Sequence, residues 1–97
     1  MKKVGEYTYF EDGWEAMNYP PGVAENLRMR SHAMIALRDI IEGRKLTQAR
    51  AAKLLGVSQP RISALMNGHI EKFSIDALVE MLSRAGYSVR ISIKRAA

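Results

Sequence analysis

Residues Thr47–Gly68 read TQARAAKLLGVSQPRISALMNG, two short helical patterns with a four-residue break between them. Thr47 is a good N-cap, and Leu46 before it with Ala51 four residues on forms a hydrophobic staple. Ala51, Ala52 and Leu55 share one face, and the pattern stops at Gly56, which can take the left-handed conformation that ends helices. Ser58 caps a second helix, and Val57 is set to pack on Ile62 as its staple. Pro60 falls in the first turn, where its missing N–H costs nothing. Ile62 and Leu65 supply the apolar side, and Asn67-Gly68 closes the helix. The stretch predicts a helix-turn-helix whose second helix carries Gln59, Arg61, Ser63 and Ala64 on its outer side.

Spacing makes this pattern restrictive. Two helices that cross closely need a small residue, supplied by Ala52. Four residues later the chain needs a positive φ, supplied by Gly56. Ile62 then plugs the angle between the helices. The competing reading is an ordinary helical hairpin inside some other bundle.

The rest of the chain is read outward from this motif. Residues 1–22 are an N-terminal arm: Glu6 to Phe10 has strand-forming residues, Phe10 to Met17 suits one or two helical turns, and Asn18 to Gly22 is a breaker. Trp14 with Tyr19 and Phe10 reads as a satellite cluster over the core, or as a docking segment for a protein partner. From Val23 to Glu42, Ala24, Leu27, Met34, Leu37 and Ile41 follow helical steps, with Ser31 a possible restart and Arg28, Arg30 and Arg38 on the wet face. After the loop His69 to Lys72, Ser74 caps a further helix whose buried face is Ile75, Leu78, Val79 and Leu82, ending at Gly86. Beyond it the period changes to two. Val89, Ile91 and Ile93 alternate with Ser88, Arg90, Ser92 and Lys94, which predicts a half-buried strand. One strand cannot stand alone, so it pairs with its copy in a second protomer, giving a dimer, or with the Tyr7–Phe10 arm.

At 97 residues this is one domain, divided into the arm at 1–22, the helix-turn-helix domain at 23–86 and the strand and tail at 87–97. No run approaches the ~18 apolar residues of a membrane span, and MKKVGEYTYFED lacks the hydrophobic block of a signal peptide. The absence of cysteine excludes disulfides and thiolate metal sites and fits a cytoplasmic protein. Charge is distributed unevenly: residues 1–43 carry a net −2, residues 44–72 a net +5 and residues 73–97 a net +2. The positive excess sits on the motif itself, and a polyanion partner is the straightforward reading.

The motif resembles the helix-turn-helix of the Xre family, the phage-lambda-repressor-like group. The longer run LGVSQPRISALMNGHIEKFSIDALVEML, Leu55 to Leu82, is similar to a subgroup of small regulators often paired with a toxin, the HigA-type antitoxins. The resemblance covers about Glu25 to Val89. It implies a mainly α fold, a five-helix lambda-repressor-like domain, here followed by one C-terminal β-strand used for dimerisation. It also implies a sequence-specific regulator of transcription, and in the subgroup an autorepressing antitoxin with a RelE-like toxin as partner. A stand-alone or phage-derived repressor, or chiefly a toxin-binding module, are the alternatives.

A dimer would set two recognition helices ~34 Å apart, one turn of duplex, and so read a palindromic operator. Gln59 is the first choice for base reading, because an amide at the helix N-terminus can pair in two places with adenine N6 and N7. The resemblance supports that role, while Pro60 replaces a second base-reading glutamine of some phage repressors, so the recognised sequence does not carry over. Arg61 suits guanine or a phosphate, Ser63 either, and Ala64 a thymine methyl. Thr47 and Ser58, at helix N-termini, suit phosphate. The resemblance adds Gln48 and Asn67 as backbone contacts. Arg44, Lys45, Arg50, Lys53 and Lys72 are candidate phosphate partners by charge. An enzyme is disfavoured: His32 and His69 lie far apart without metal-ligand spacing, and there is no phosphate loop or nucleophile elbow. No cofactor is implied.

Overall fold

The computed structural model of the chain describes residues 19–95. The readings made on residues 1–18, including Trp14 and the Tyr7–Phe10 arm, lie outside them. The described residues form four α-helices and one 3-10 turn: α1 (Pro21–Gly43), α2 (Gln48–Leu55), α3 (Gln59–Met66), the turn Ile70–Lys72, and α4 (Ile75–Arg84).

Capping fixes where each motif helix begins. Thr47, Ser58 and Ser74 hold extended backbones, and their hydroxyls accept the N–H groups of Arg50, Arg61 and Ala77. Each cap follows an apolar residue that reaches inward: Leu46 and Val57 pack on the core from its edge, and Phe73 is fully inside it. The ends of α1, α3 and α4 are closed by one recurring device, in which the two residues after the C-cap donate backwards to the last turn. After α3, Gly68 and His69 donate to Leu65 and Ala64. After α4, Gly86 and Tyr87 donate to Ser83 and Leu82. At the end of α1 the left-handed position is held by Lys45, at φ 54°, instead of a glycine. Gly56 (φ 71°) makes the turn between α2 and α3, and a Cβ there would meet the Arg84 guanidinium at 2.7 Å.

The core is built from Leu37, Ile40, Ile41 and Met34 of α1, Ala51 and Leu55 of α2, Ile62 and Leu65 of α3, and Leu78, Met81 and Leu82 of α4. Phe73 is its largest fully buried side chain. α1 and α4 make the broadest packing, and α2 and α3 lean on each other across the Gly56 turn. Thus the motif is seated on a scaffold formed by the first and last helices.

Several expectations are corrected. The domain has four helices among the described residues, not five. Ser31 does not restart α1, since a serine without a neighbouring glycine or proline is tolerated inside a helix. The segment after α3 closes as a single 3-10 turn. The C-terminal β-strand is absent among the described residues: residues 87–95 carry no regular secondary structure, and Ile91 and Ile93 are 75% and 90% exposed. Alternation records that a segment has two chemically distinct sides, while a strand also requires a neighbour for its N–H and C=O groups. The inner face of α4 is also turned from the one expected. Phe73 and Leu78 fix the phase, so the following inward positions are Met81, Leu82 and Ala85, and Val79 falls on the flank, 38% exposed. On α1, Arg28 is buried and paired with Glu25, and Arg30 and Arg38 are half-buried, so this row is not a wet face.

Candidate nucleic-acid interface

At the start of α3, Gln59 occupies the first helical position, one residue after the Ser58 cap, and is exposed. Of the three first-turn residues, Pro60 has no N–H and that of Arg61 is taken by Ser58 Oγ at 3.3 Å. Gln59 therefore offers the first turn's one uncapped amide as well as its own side-chain amide, at the positive end of the helix. The base of the helix beneath it is fixed by Ile62 and Leu65, both fully buried.

The other outward residues of α3 divide. Ser63 is half-buried, and its Oγ accepts from Asn67 Nδ2 at 3.4 Å. Ala64 is 8% exposed and belongs to the core, so it is not open to a thymine methyl. It lies two residues from Ile62 and beside Leu65, within the core cluster, although the sequence pattern expects it on the outer side. Arg61 reaches the chain that follows α3. Its Nη1 donates to the Lys72 carbonyl at 2.8 Å, and its guanidinium carbon stands 4.4 Å from the centre of the Phe73 ring.

The expected phosphate contacts divide in the same way. Thr47 Oγ1 accepts the Arg50 N–H at 3.1 Å, and its hydroxyl proton is left to donate outward, as is that of Ser58. Gln48 stands at the first position of α2, and Asn67 caps the end of α3; both are exposed. Arg50 and Lys53 on α2, Lys45 before it and Lys72 in the turn are exposed cations. Arg44 is different. Its Nη2 donates to the Ala85 carbonyl at 2.8 Å, and its guanidinium lies 5.9 Å from the Tyr87 ring centre, tying the end of α1 to the end of α4.

Two further residues lie beside this surface. Arg30 of α1 donates to the carbonyls of Ile70 and Phe73, at 3.2 and 3.4 Å. Nothing in the spacing of α1 announces that reach across 40 residues of sequence. His69, exposed in the loop after α3, has Nδ1 3.5 Å from Glu71 Oε2. Among the described residues no group of three or more His, Asp or Glu side chains could hold a metal ion, and no helix is long and apolar enough to cross a membrane. A shallow groove of about 90 Å³ lies between the Gly56 turn and α4, lined by Leu55, Val57, Ala77 and Met81 with Glu80 at its rim.

A family model described as a helix-turn-helix domain matches residues 20–94. A solved structure assigned to the XRE family of transcriptional regulators is 35% identical, aligns over 76% of this chain and 83% of its own, and superposes with a TM-score of 0.70. No curated protein matches the chain.

Proposed function

Because the chain belongs to the XRE family of helix-turn-helix proteins, we propose that it is a double-stranded DNA-binding regulator of transcription that reads its site chiefly with Gln59. The observation that carries this reading is one exposed amide side chain at the capped N-terminus of a core-anchored helix, in a segment of net charge +5. A B-DNA major groove admits one helix, and its edges alone distinguish all four base pairs. Ser63 is a secondary reader at the rim, while Arg61 is held by Lys72 and Phe73 and Ala64 is buried in the core. Thr47, Gln48, Ser58, Asn67, Lys45, Arg50, Lys53 and Lys72 hold the phosphates. A cytoplasmic location, beside the DNA, follows from this reading.

Fluorescence anisotropy on the DNA upstream of the gene, against a scrambled duplex and over a salt series, tests the proposal. Preferential binding is expected, with affinity falling by ~10³-fold or more between 50 and 200 mM salt if six or more phosphates are neutralised. Equal, weak binding to both duplexes overturns it.

One recognition helix with so few base-facing side chains reads a short site, and we propose a homodimer on a palindromic operator. The apolar residues of the C-terminal segment, Val89 with the largely exposed Ile91 and Ile93, are the proposed contact with the second copy. Sedimentation equilibrium of Ile91→Arg is expected to give monomers where the parent chain gives dimers; an unchanged dimer removes this row from the interface.

The narrower reading, an autorepressing antitoxin, is supported by the similarity of Leu55 to Leu82 to the HigA-type subgroup. It requires a RelE-like toxin encoded beside the gene, and co-purification of the two chains tests it. A stand-alone repressor is the reading that remains if the neighbouring product does not bind.

A further inference from the structure

On the reading that Lys72 holds a DNA phosphate, we infer that Arg61 is a positioning residue that sets the loop carrying Lys72, and is not itself a reader of bases. A guanidinium that reads a guanine must reach the groove and present one edge, with two N–H groups, to O6 and N7. Arg61 instead has Nη1 on the Lys72 carbonyl at 2.8 Å and its plane near the Phe73 ring, with the guanidinium carbon 4.4 Å from the ring centre. Leaving this place to reach a base would break a charge-assisted hydrogen bond and a cation–π contact together.

The loop has a second hold on its other side. Arg30, from α1, donates to the carbonyls of Ile70 and Phe73. Two arginines from two helices thus donate to the carbonyls of residues 70, 72 and 73, beside the turn's own short-range bonds from Ile70 N–H to Gly68, Lys72 N–H to His69 and Phe73 N–H to Ile70. A three-residue 3-10 turn has little stability of its own. The arginines supply what the turn lacks, and they leave the Lys72 ammonium group exposed and directed by a fixed backbone. The clamp starts from α3, so one side chain ties the position of a phosphate contact to the reading helix.

Two measurements test this, the first without DNA. In Arg61→Ala, amide hydrogen exchange at Lys72 and Phe73 is expected to accelerate at least tenfold while Ala51 and Leu55 in α2 keep their parent rates. Unchanged exchange at Lys72 and Phe73 overturns the clamp, whatever the DNA result. The second measurement compares Arg61→Ala, Lys72→Ala and the double variant on the operator. Both single variants are expected to lower the log–log salt slope by about one. The double variant should lose no more affinity than the larger single loss, and base preference at every operator position should stay as in the parent. Arg61→Lys, which keeps the charge over the ring, is expected to recover part of the slope. Additive losses, or relaxed preference at one base pair on Arg61→Ala alone, would show a direct DNA contact and overturn the inference. A parent chain that binds no DNA would defeat the proposed function, and the exchange result would still decide the clamp.

Discussion

Gln59→Ala is expected to weaken binding to the cognate duplex by about 1–3 kcal/mol and to leave binding to a scrambled duplex nearly as it was. Gln59 is exposed at the first position of α3, and the hydrogen bonds that hold the helix end in place are made by Ser58 and not by Gln59. Removing its amide takes away base contacts without disturbing the cap. Pro60, in the next position, offers no donor in its place, so no neighbour compensates. The salt dependence should stay parallel to that of the parent, since the phosphate contacts lie on other residues. Anisotropy titrations on both duplexes at two salt concentrations give all four constants. An equal loss on the two duplexes would move Gln59 from reading bases to holding the backbone.

The contrast between Gln59 and its neighbours shows what the sequence could and could not say about this surface. Caps and staples are local: a hydroxyl, three residues of helix and an apolar residue on either side are within one turn of one another. The three capped starts and the Gly56 turn were therefore legible, and the structure has Thr47, Ser58 and Ser74 as the caps. The direction in which a long side chain turns is not local. Arg61 finds its partners eleven and twelve residues later, and Arg44 finds its carbonyl at Ala85. A count of positive charges treats these arginines like Arg50 and Lys53, although the former two serve the fold. Ala64, expected on the outer side, is buried in the core cluster, and the packing that covers it is likewise not local. The C-terminal segment marks the same boundary in another form. Its period-two pattern is real in the sequence, but pairing needs a second edge, and no edge pairs with it among the described residues.

The core depends on Phe73, the apolar residue just before the Ser74 cap, and Phe73→Ala should be the most damaging single change to stability. Phe73 sits between the 3-10 turn and α4, is 1% exposed, and is the largest of the fully buried side chains. Truncation removes its ring from the core and leaves a cavity that the backbone cannot close, because the residue is held on both sides: its N–H by Ile70 and its carbonyl by Arg30. Loss of a buried phenylalanine costs about 3–5 kcal/mol, and the departing cation–π contact with Arg61 adds about 0.5–1 kcal/mol at a partly exposed site. A domain of this size has only about 5–10 kcal/mol in total. Urea unfolding followed by circular dichroism should place the midpoint of Phe73→Ala at half the parent value or less, with the slope unchanged. Phe73→Leu keeps most of the volume but not the ring, and its midpoint should fall between the two. Had Phe73 been only an edge staple, truncation would cost near 1 kcal/mol, and a midpoint within about a fifth of the parent would return it to that role. Protein that remains folded in dilute buffer should still prefer the cognate duplex, because Gln59 is anchored by Ile62 and Leu65 rather than by the ring. Its affinity should nevertheless be lower, since Arg61 would have lost the ring against which it positions Lys72.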